Sequence, residues 1–517
     1  MTERAREVRA AAVVGAGIFL SRVSGFVRER VFAYWFGTSD LADAWRAALR
    51  LPNVLQNLLG EGTLSASLIP VYAELLEQGR EEEAGRFAGA ALGILTAVAA
   101  ALSLGGILLA PWLIHLFFFD WSPEKQAITV TLARILFPMT GVLVVSAWAL
   151  GILNAHRRFF VSYVAPVFWN LAMIAALVAG GAWLALDSKD LVVALAWGAL
   201  AGGILQFGVQ IPFLFGRLRG FRLSLGRGVP GVDEAVKSFG PVVAARGVVN
   251  LSGWVDLILA AQLAPGAVAL LGYAQTFYVL PISLFGMSVA ASELPELSRM
   301  RGEAERVLAA RVAAALGRVA WFLIPSAVAY AALGDVIVAA LYQTGSFGPA
   351  QSLATWAVLA AYSLGLTASA SSRVLSSAFY ALRDTKTPAR IAFARVAVSA
   401  GAGLAFMFPL DSFGFGPVRL GAMGLALGAA VGAWLEYALL RRALGGRVGA
   451  HGPGTGTLLR MALAASLAAG AGVALQLLLA PAHPIVVALE TLLPVGVVYL
   501  AAAWALGLGV PLRRKPA

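Results

Sequence analysis

Residues Arg22-Val23-Ser24-Gly25-Phe26-Val27-Arg28 return 228 positions later as Asn250-Leu251-Ser252-Gly253-Trp254-Val255-Asp256. Leu51-Pro52 returns as Leu280-Pro281 at an offset of 229, and Asn154-Ala155-His156-Arg157-Arg158 as Tyr380-Ala381-Leu382-Arg383-Asp384 at 226. Three matches at nearly one offset mark an internal repeat, and its period tells what is repeated. Around these motifs the chain is apolar almost without relief. Of 517 residues 60% are hydrophobic and 13% charged, against about half and a quarter in a soluble domain. Windows such as 87–109, 191–208 and 461–479 hold no charge, and each is long enough to cross the hydrocarbon as a helix. The solvent of this chain is lipid.

Apolar runs and their breaks predict helices near 9–36, 41–76, 87–119, 125–154, 159–186, 190–216, 234–262, 266–297, 305–341, 350–381, 387–410, 417–440, 456–480 and 485–508. The fold class is therefore an all-α polytopic membrane protein of about fourteen transmembrane helices. Six helices precede each return of the repeat, which predicts two pseudo-symmetric six-helix lobes of like orientation, residues 1–223 and 224–445, joined by the Gly/Pro stretch 224–232. Two helices in 446–517 lie outside the repeat.

Arginine and lysine then set the orientation. Alternate turns hold Arg80/Arg86, Arg157/Arg158, Arg217/Arg219/Arg222/Arg227/Lys237, Arg299/Arg301/Arg306, Arg383/Lys386/Arg390, Arg441/Arg442/Arg447 and Arg513/Arg514/Lys515, whereas the others hold little beyond Lys125, Lys189 and Arg419. That asymmetry predicts a multi-pass inner-membrane protein with both termini cytoplasmic. It also absorbs most of the net charge of +12, so no nucleic-acid partner is implied. The absence of cysteine excludes disulfides, thiolate metal sites and thiol nucleophiles. The four histidines, on separate segments, have no metal-ligand spacing, and no P-loop is present. No cofactor is expected.

Charges inside spans are costly unless they meet water or a partner, and they gather in the first two helices. Arg22, Arg28, Glu29 and Arg30 lie on the first; at about 100° per residue Arg22 and Glu29 share a face and Arg28 falls about 120° to one side. On the second, Asp43, Arg46, Arg50, Asn53 and Asn57 follow one stripe, with Gln56 and Glu61 beside it. The second repeat offers Arg246 and Asp256 on helix 7 and Gln275 and Thr276 on helix 8. Opposed polar stripes with a positive excess suit a wet cavity for a phosphate-bearing substrate, because guanidinium contacts phosphate in bidentate fashion. The competing reading is an internal ion-pair network, Glu29 with Arg22 and Asp43 with Arg46 or Arg50.

Ser21-Arg22-Val23-Ser24-Gly25-Phe26-Val27-Arg28-Glu29, Leu51-Pro52-Asn53, Gly60-Glu61-Gly62, Leu153-Asn154-Ala155, Ala165-Pro166, Tyr273-Ala274, Ala360 to Gly365 and Asp384-Thr385-Lys386-Thr387-Pro388 together resemble the MurJ (MviN) family of lipid II flippases, over nearly the whole chain. The resemblance implies a cavity lined by helices 1, 2, 7 and 8 for a pyrophosphate-sugar head group and a groove on helices 13 and 14 for the polyprenyl tail. It implies alternating access without covalent chemistry, and as partners the lipid-linked sugar, membrane lipids and the cell-wall synthesis machinery. Arg22, Arg28, Glu29, Asp43, Arg50 and Glu61 match polar positions of the family. Gln56 and Thr276 stand where the family usually has arginine. Relocated charge from Arg246, or less readily from Arg46, would compensate; a different lipid-linked oligosaccharide or an amphiphilic drug as cargo is the alternative. No coupling ion is identifiable.

Overall fold

The computed structural model describes residues 3–287, 305–416, 418–479 and 483–509. Helices α1 (Glu3–Phe36), α2 (Asp40–Leu59), α3 (Glu61–Ser67), α4 (Ile69–Glu77), α5 (Glu81–Phe117), α6 (Pro123–Ala155), α7 (Phe159–Val178), α8 (Ser188–Leu214) and α9 (Val232–Ala261) come first. They are followed by α10 (Ala267–Pro281), α11 (Glu305–Tyr342), α12 (Pro349–Leu364), α13 (Leu366–Ala381), α14 (Lys386–Asp411), α15 (Gly421–Val448), α16 (Thr455–Leu478) and α17 (Pro484–Ala505). A two-residue hairpin, β1 (Gly414–Phe415) with β2 (Val418–Arg419), is the one departure from helix among the named elements. Among the described residues ten helices are long and apolar enough to span a membrane, or eleven with α12 and α13 as one bent span. The protein is a multi-pass, all-α membrane protein. The three expected spans beyond those eleven are α1, α2 to α4, and α9, the segments in which the sequence places its charges.

Two expected continuous helices are broken, each for a local reason. The span expected over 41–76 stops at Gly60, whose amide closes onto Gln56 O, and restarts twice. Pro70 at the start of α4 has no N–H to continue the ladder. The span expected over 350–381 bends by 41° between α12 and α13. There Gly365 lies so close to α15 that a Cβ would come within 2.7 Å of Ala430 Cα. The helix expected over 266–297 runs as α10 to Pro281 and continues as a π turn, Ile282–Met287; its last part, with Glu293 and Glu296, lies outside the described residues.

The chain divides into two compact units, Met1–Ile258 and Leu259–Ala517. The division falls near the end of α9. In the first unit the preceding strap, 219–224, lies on α5: side chains at Gly85, Gly89 and Gly93 would strike the carbonyls of Arg219, Arg222 and Ser224. Glycines spaced by four residues give the helix a smooth groove for this backbone. In the second unit α16 and α17 pack on α11 around Trp321, Met461, Ala464, Ala468 and Tyr499, with the Tyr499 hydroxyl donating to Trp321 O at 2.8 Å.

The internal repeat is visible in the backbone. Arg157 and Arg383, 226 residues apart, have φ of 58° and 59°, two of the three non-glycine residues with positive φ among the described residues. The next amide in each, Arg158 N and Asp384 N, reaches back to Leu153 O and Phe379 O at 2.8 and 2.9 Å. Both are left-handed helix ends of the Schellman type, one closing α6 and the other α13.

Candidate functional site

In the first unit α1 and α2 are joined by a short turn, so residues equally far from it face one another. Glu29 is seven residues before the end of α1 and Arg46 six after the start of α2, which sets both about 10 Å from the turn. They form an ion pair there, and Arg28 Nη2 holds the other carboxylate oxygen of Glu29 at 2.7 Å. Arg28 Nη1 donates to Asn170 Oδ1 of α7 at 3.0 Å, and its guanidinium lies over the Trp169 ring, 5.1 Å from the centroid. Asn170 in turn donates to Ser24 Oγ at 2.9 Å, while Arg46 lies over Phe32. Two guanidiniums thus share one buried carboxylate, leaving the triad with a net charge of +1. Each guanidinium has five N–H donors, more than one carboxylate accepts.

Part of the expected network takes other partners. Glu29 pairs with Arg28 and Arg46 and not with Arg22, because the long Arg28 side chain reaches round the helix to its neighbour. Asp43 pairs with neither Arg46 nor Arg50: at 2% exposure it turns toward α6 and binds Lys125 Nζ at 2.8 Å. Lys125, expected as a loop charge, is itself buried, bonded also to Asp40 at 2.7 Å and lying 4.2 Å from the Trp121 ring centroid. The stripe on α2 is therefore divided between two neighbours, and Asp43 lines no open space. Arg46, tied to Glu29, does not extend toward Gln56.

Arg22 is exposed, further back on α1, with no hydrogen bond among the described residues. Arg50 lies against Gly253 of α9, where any side chain would collide with its guanidinium; the glycine of the repeated motif makes room for it. Asn53 and Gln56 are half-buried, Asn57 is exposed and Asp256 is half-buried. The side chains of Glu61 and Arg246 lie outside the described residues.

The two sequence-selected residues of the second unit point to helix-internal and neighbouring partners. Gln275 Nε2 donates to the Tyr362 hydroxyl of α12 at 3.1 Å, and the Thr276 hydroxyl donates to Gly272 O at 3.0 Å. At the end of α13 the Asp384 carboxylate accepts from the Thr387 hydroxyl at 2.6 Å and from the Lys386 and Thr387 amides, and it pairs with Arg447 of α15. The Thr387 bonds, with Arg447, hold its carboxyl well below the usual carboxylate range. This motif is a cap and a tie between helices. Sequence reasoning passed over Asn170, Trp169 and Lys125 as partners of the charged cluster; an asparagine in the middle of the fifth apolar span was the available signal. No group of three residues suited to a metal ion occurs among the described residues.

A family model described as "Lipid II flippase MurJ" matches residues 32–494. A probable lipid II flippase MurJ of Rhizobium tropici is 32% identical over 431 residues, covering 82% of this chain and 78% of that protein. The lipid II flippase MurJ of Burkholderia cenocepacia is 32% identical over 439 residues, 84% of this chain and 82% of its own. Among solved structures, one of a lipid II flippase MurJ in an inward closed conformation superposes with a TM-score of 0.77 at 22% identity, covering 96% of this chain and 98% of that one. An inward-facing multidrug resistance MATE transporter of the MOP superfamily gives 0.65 at 16% identity, over 81% and 94%. These structural likenesses establish the fold.

Proposed function

From the premise that this chain belongs to the lipid II flippase MurJ family, we propose that it moves lipid II, a polyprenyl-pyrophosphate-linked cell-wall precursor, from the cytoplasmic to the periplasmic leaflet by alternating access. It is a transporter, and the step needs no bond made or broken. The observation that carries the reading is the Arg28–Glu29–Arg46 triad, held about 10 Å inside α1 and α2 with a surplus of positive charge and N–H donors. Isolated guanidiniums at that depth would be expelled. A carboxylate shared between them, with Asn170 and Trp169 as braces, keeps them in place for a pyrophosphate. The same proposal places the chain in the bacterial inner membrane with both ends cytoplasmic, uses α16 and α17 for the polyprenyl tail, and requires no cofactor. It leaves Arg246 as the candidate to replace the arginines absent at Gln56 and Thr276.

The test is replacement of the native flippase in a depletion strain, with Arg28→Ala alongside. The unmodified chain restores growth and lipid II flipping; Arg28→Ala abolishes both at unchanged membrane abundance, because Glu29 keeps Arg46 as partner. Failure of the unmodified chain to flip lipid II, with flipping of another lipid-linked sugar, would transfer the proposal to that cargo.

A further inference from the structure

Residues 216–231 carry four arginines and no acid, and the structure lays this stretch along α5 within the first unit. Gly220, at φ 71°, brings the chain against Glu82; the backbone of Arg222 and Ser224 then meets Gly89 and Gly93, and Gly226, at φ 81°, turns beside Ile94. Gly231 returns it to the level of Phe87. Phe87 opens the charge-free stretch of α5, so the far point of the loop, level with Gly93, lies about 9 Å inside that stretch. The strap is therefore a re-entrant loop that dips into the membrane boundary, seated in the glycine groove. Two of its residues, from Arg222 to Ser224, cover the distance from Gly89 to Gly93, about 6 Å, so the backbone here is extended.

The loop presents two kinds of surface. Leu223 and Leu225 are 67% and 66% exposed, and because side chains two apart share a side of an extended segment, they form one apolar edge. Arg222 and Arg227 are exposed and have no hydrogen-bond or ion-pair partner among the described residues, whereas Arg219 is paired with Glu81 at 3.0 Å. The amides of Arg222, Leu223, Ser224 and Leu225 also have no acceptor among the described residues. Water would satisfy the guanidiniums and amides and leave the leucines wet; hydrocarbon would take the leucines and expel the rest. A phospholipid serves both, with phosphate oxygens for the N–H groups and acyl chain for the leucines. An anionic lipid fits better than a zwitterionic one, whose own ammonium competes for the phosphate.

We propose that the re-entrant loop 219–231 binds the head group of an anionic phospholipid, with Arg222 and Arg227 on the phosphate, the open amides as further donors and Leu223 and Leu225 against the acyl chains. The site is separate from the Arg28 triad and independent of which cargo that triad takes.

Full-length protein in detergent, titrated with phosphatidylglycerol or phosphatidylcholine and read by native mass spectrometry, tests it. The unmodified chain retains phosphatidylglycerol in preference to phosphatidylcholine. Arg222→Gln with Arg227→Gln weakens that retention about thirtyfold, the worth of two charges at a membrane surface, with thermal stability unchanged because neither arginine has a partner to lose. Leu223→Ser with Leu225→Ser weakens it with both charges in place, as a lipid requires and a soluble anion does not. Arg441→Gln with Arg442→Gln, an equal loss of exposed charge on α15, leaves it unchanged. Equal retention of the two lipids, retention that the Arg222 and Arg227 variant does not alter, an equal loss in the α15 variant, or displacement of phosphatidylglycerol by millimolar inorganic phosphate would each overturn the proposal.

Discussion

The two units close α6 and α13 with the same turn but hold their membrane-embedded charges in different ways. In the first, three cations are locked to acid and ring: Arg28 and Arg46 share Glu29, and Lys125 joins Asp40 and Asp43. In the second, Arg395 pairs with Glu436, and Arg373 has no ionic partner among the described residues. Backbone geometry is a property of chain length and left-handed helix ends, which duplication copies whole. Side-chain chemistry changes one substitution at a time. The difference teaches that the charges of the first unit carry structure, so substitutions in the two units should have unlike costs.

The sharpest break in that comparison is Glu29→Gln. It leaves Arg28 and Arg46 facing each other without a buried counter-charge, which costs about 3–5 kcal/mol, and the folded protein should largely vanish from membranes by fluorescence-detected size exclusion. Wild-type abundance would mean that the first unit does not depend on its charges. Next comes Lys125→Met, which strands the buried Asp43 and should lower stability by up to about 3 kcal/mol in thermal unfolding. Adding Asp43→Leu should recover much of that loss, because an apolar pair replaces a buried ionic one.

A smaller effect belongs to the second unit's turn, where Asp384→Asn removes a charged cap at α14. The folded pKa of Asp384 is depressed, so its contribution is complete above the unfolded value of about 3.9 and is lost as pH falls through the folded one. The Tm gap between the wild-type protein and Asp384→Asn should therefore be constant from about pH 7 to 5 and shrink below about pH 4. A gap that widens on acidification would contradict the Thr387 and Arg447 bonds. The smallest effect tests the likeness of the units: Arg157→Gly and Arg383→Gly should each raise stability by up to about 1 kcal/mol, since glycine pays no Cβ penalty at positive φ. Gains in one turn only would show that the shared backbone is not equally strained.

Much of the architecture was legible in the sequence because lipid leaves few solutions. A span must be helical, about twenty residues long and nearly free of charge, and basic residues gather on one side. Spans that break this rule stand out in the sequence, as those of Arg28, Glu29 and Arg46 did, and the structure brings these three side chains together. The repeat motif also carried real geometry, from the matching turns at Arg157 and Arg383 to Gly253, whose missing side chain Arg50 fills.

Composition and periodicity by themselves determined that the chain is helical, membrane-embedded, duplicated and charged in its first two helices. Only the tertiary structure decided who pairs with whom. Helical angle alone put Glu29 beside Arg22, but a guanidinium on a long flexible stem takes the acceptor its neighbours leave open, and those neighbours, Asn170 on α7 and Lys125 on α6, are 142 residues from Arg28 and 82 from Asp43. The breaks at Gly60 and Gly365 were likewise invisible to hydropathy, because a helix bends where another backbone approaches or a ladder bond is missing, and neither changes the apolar content of the span.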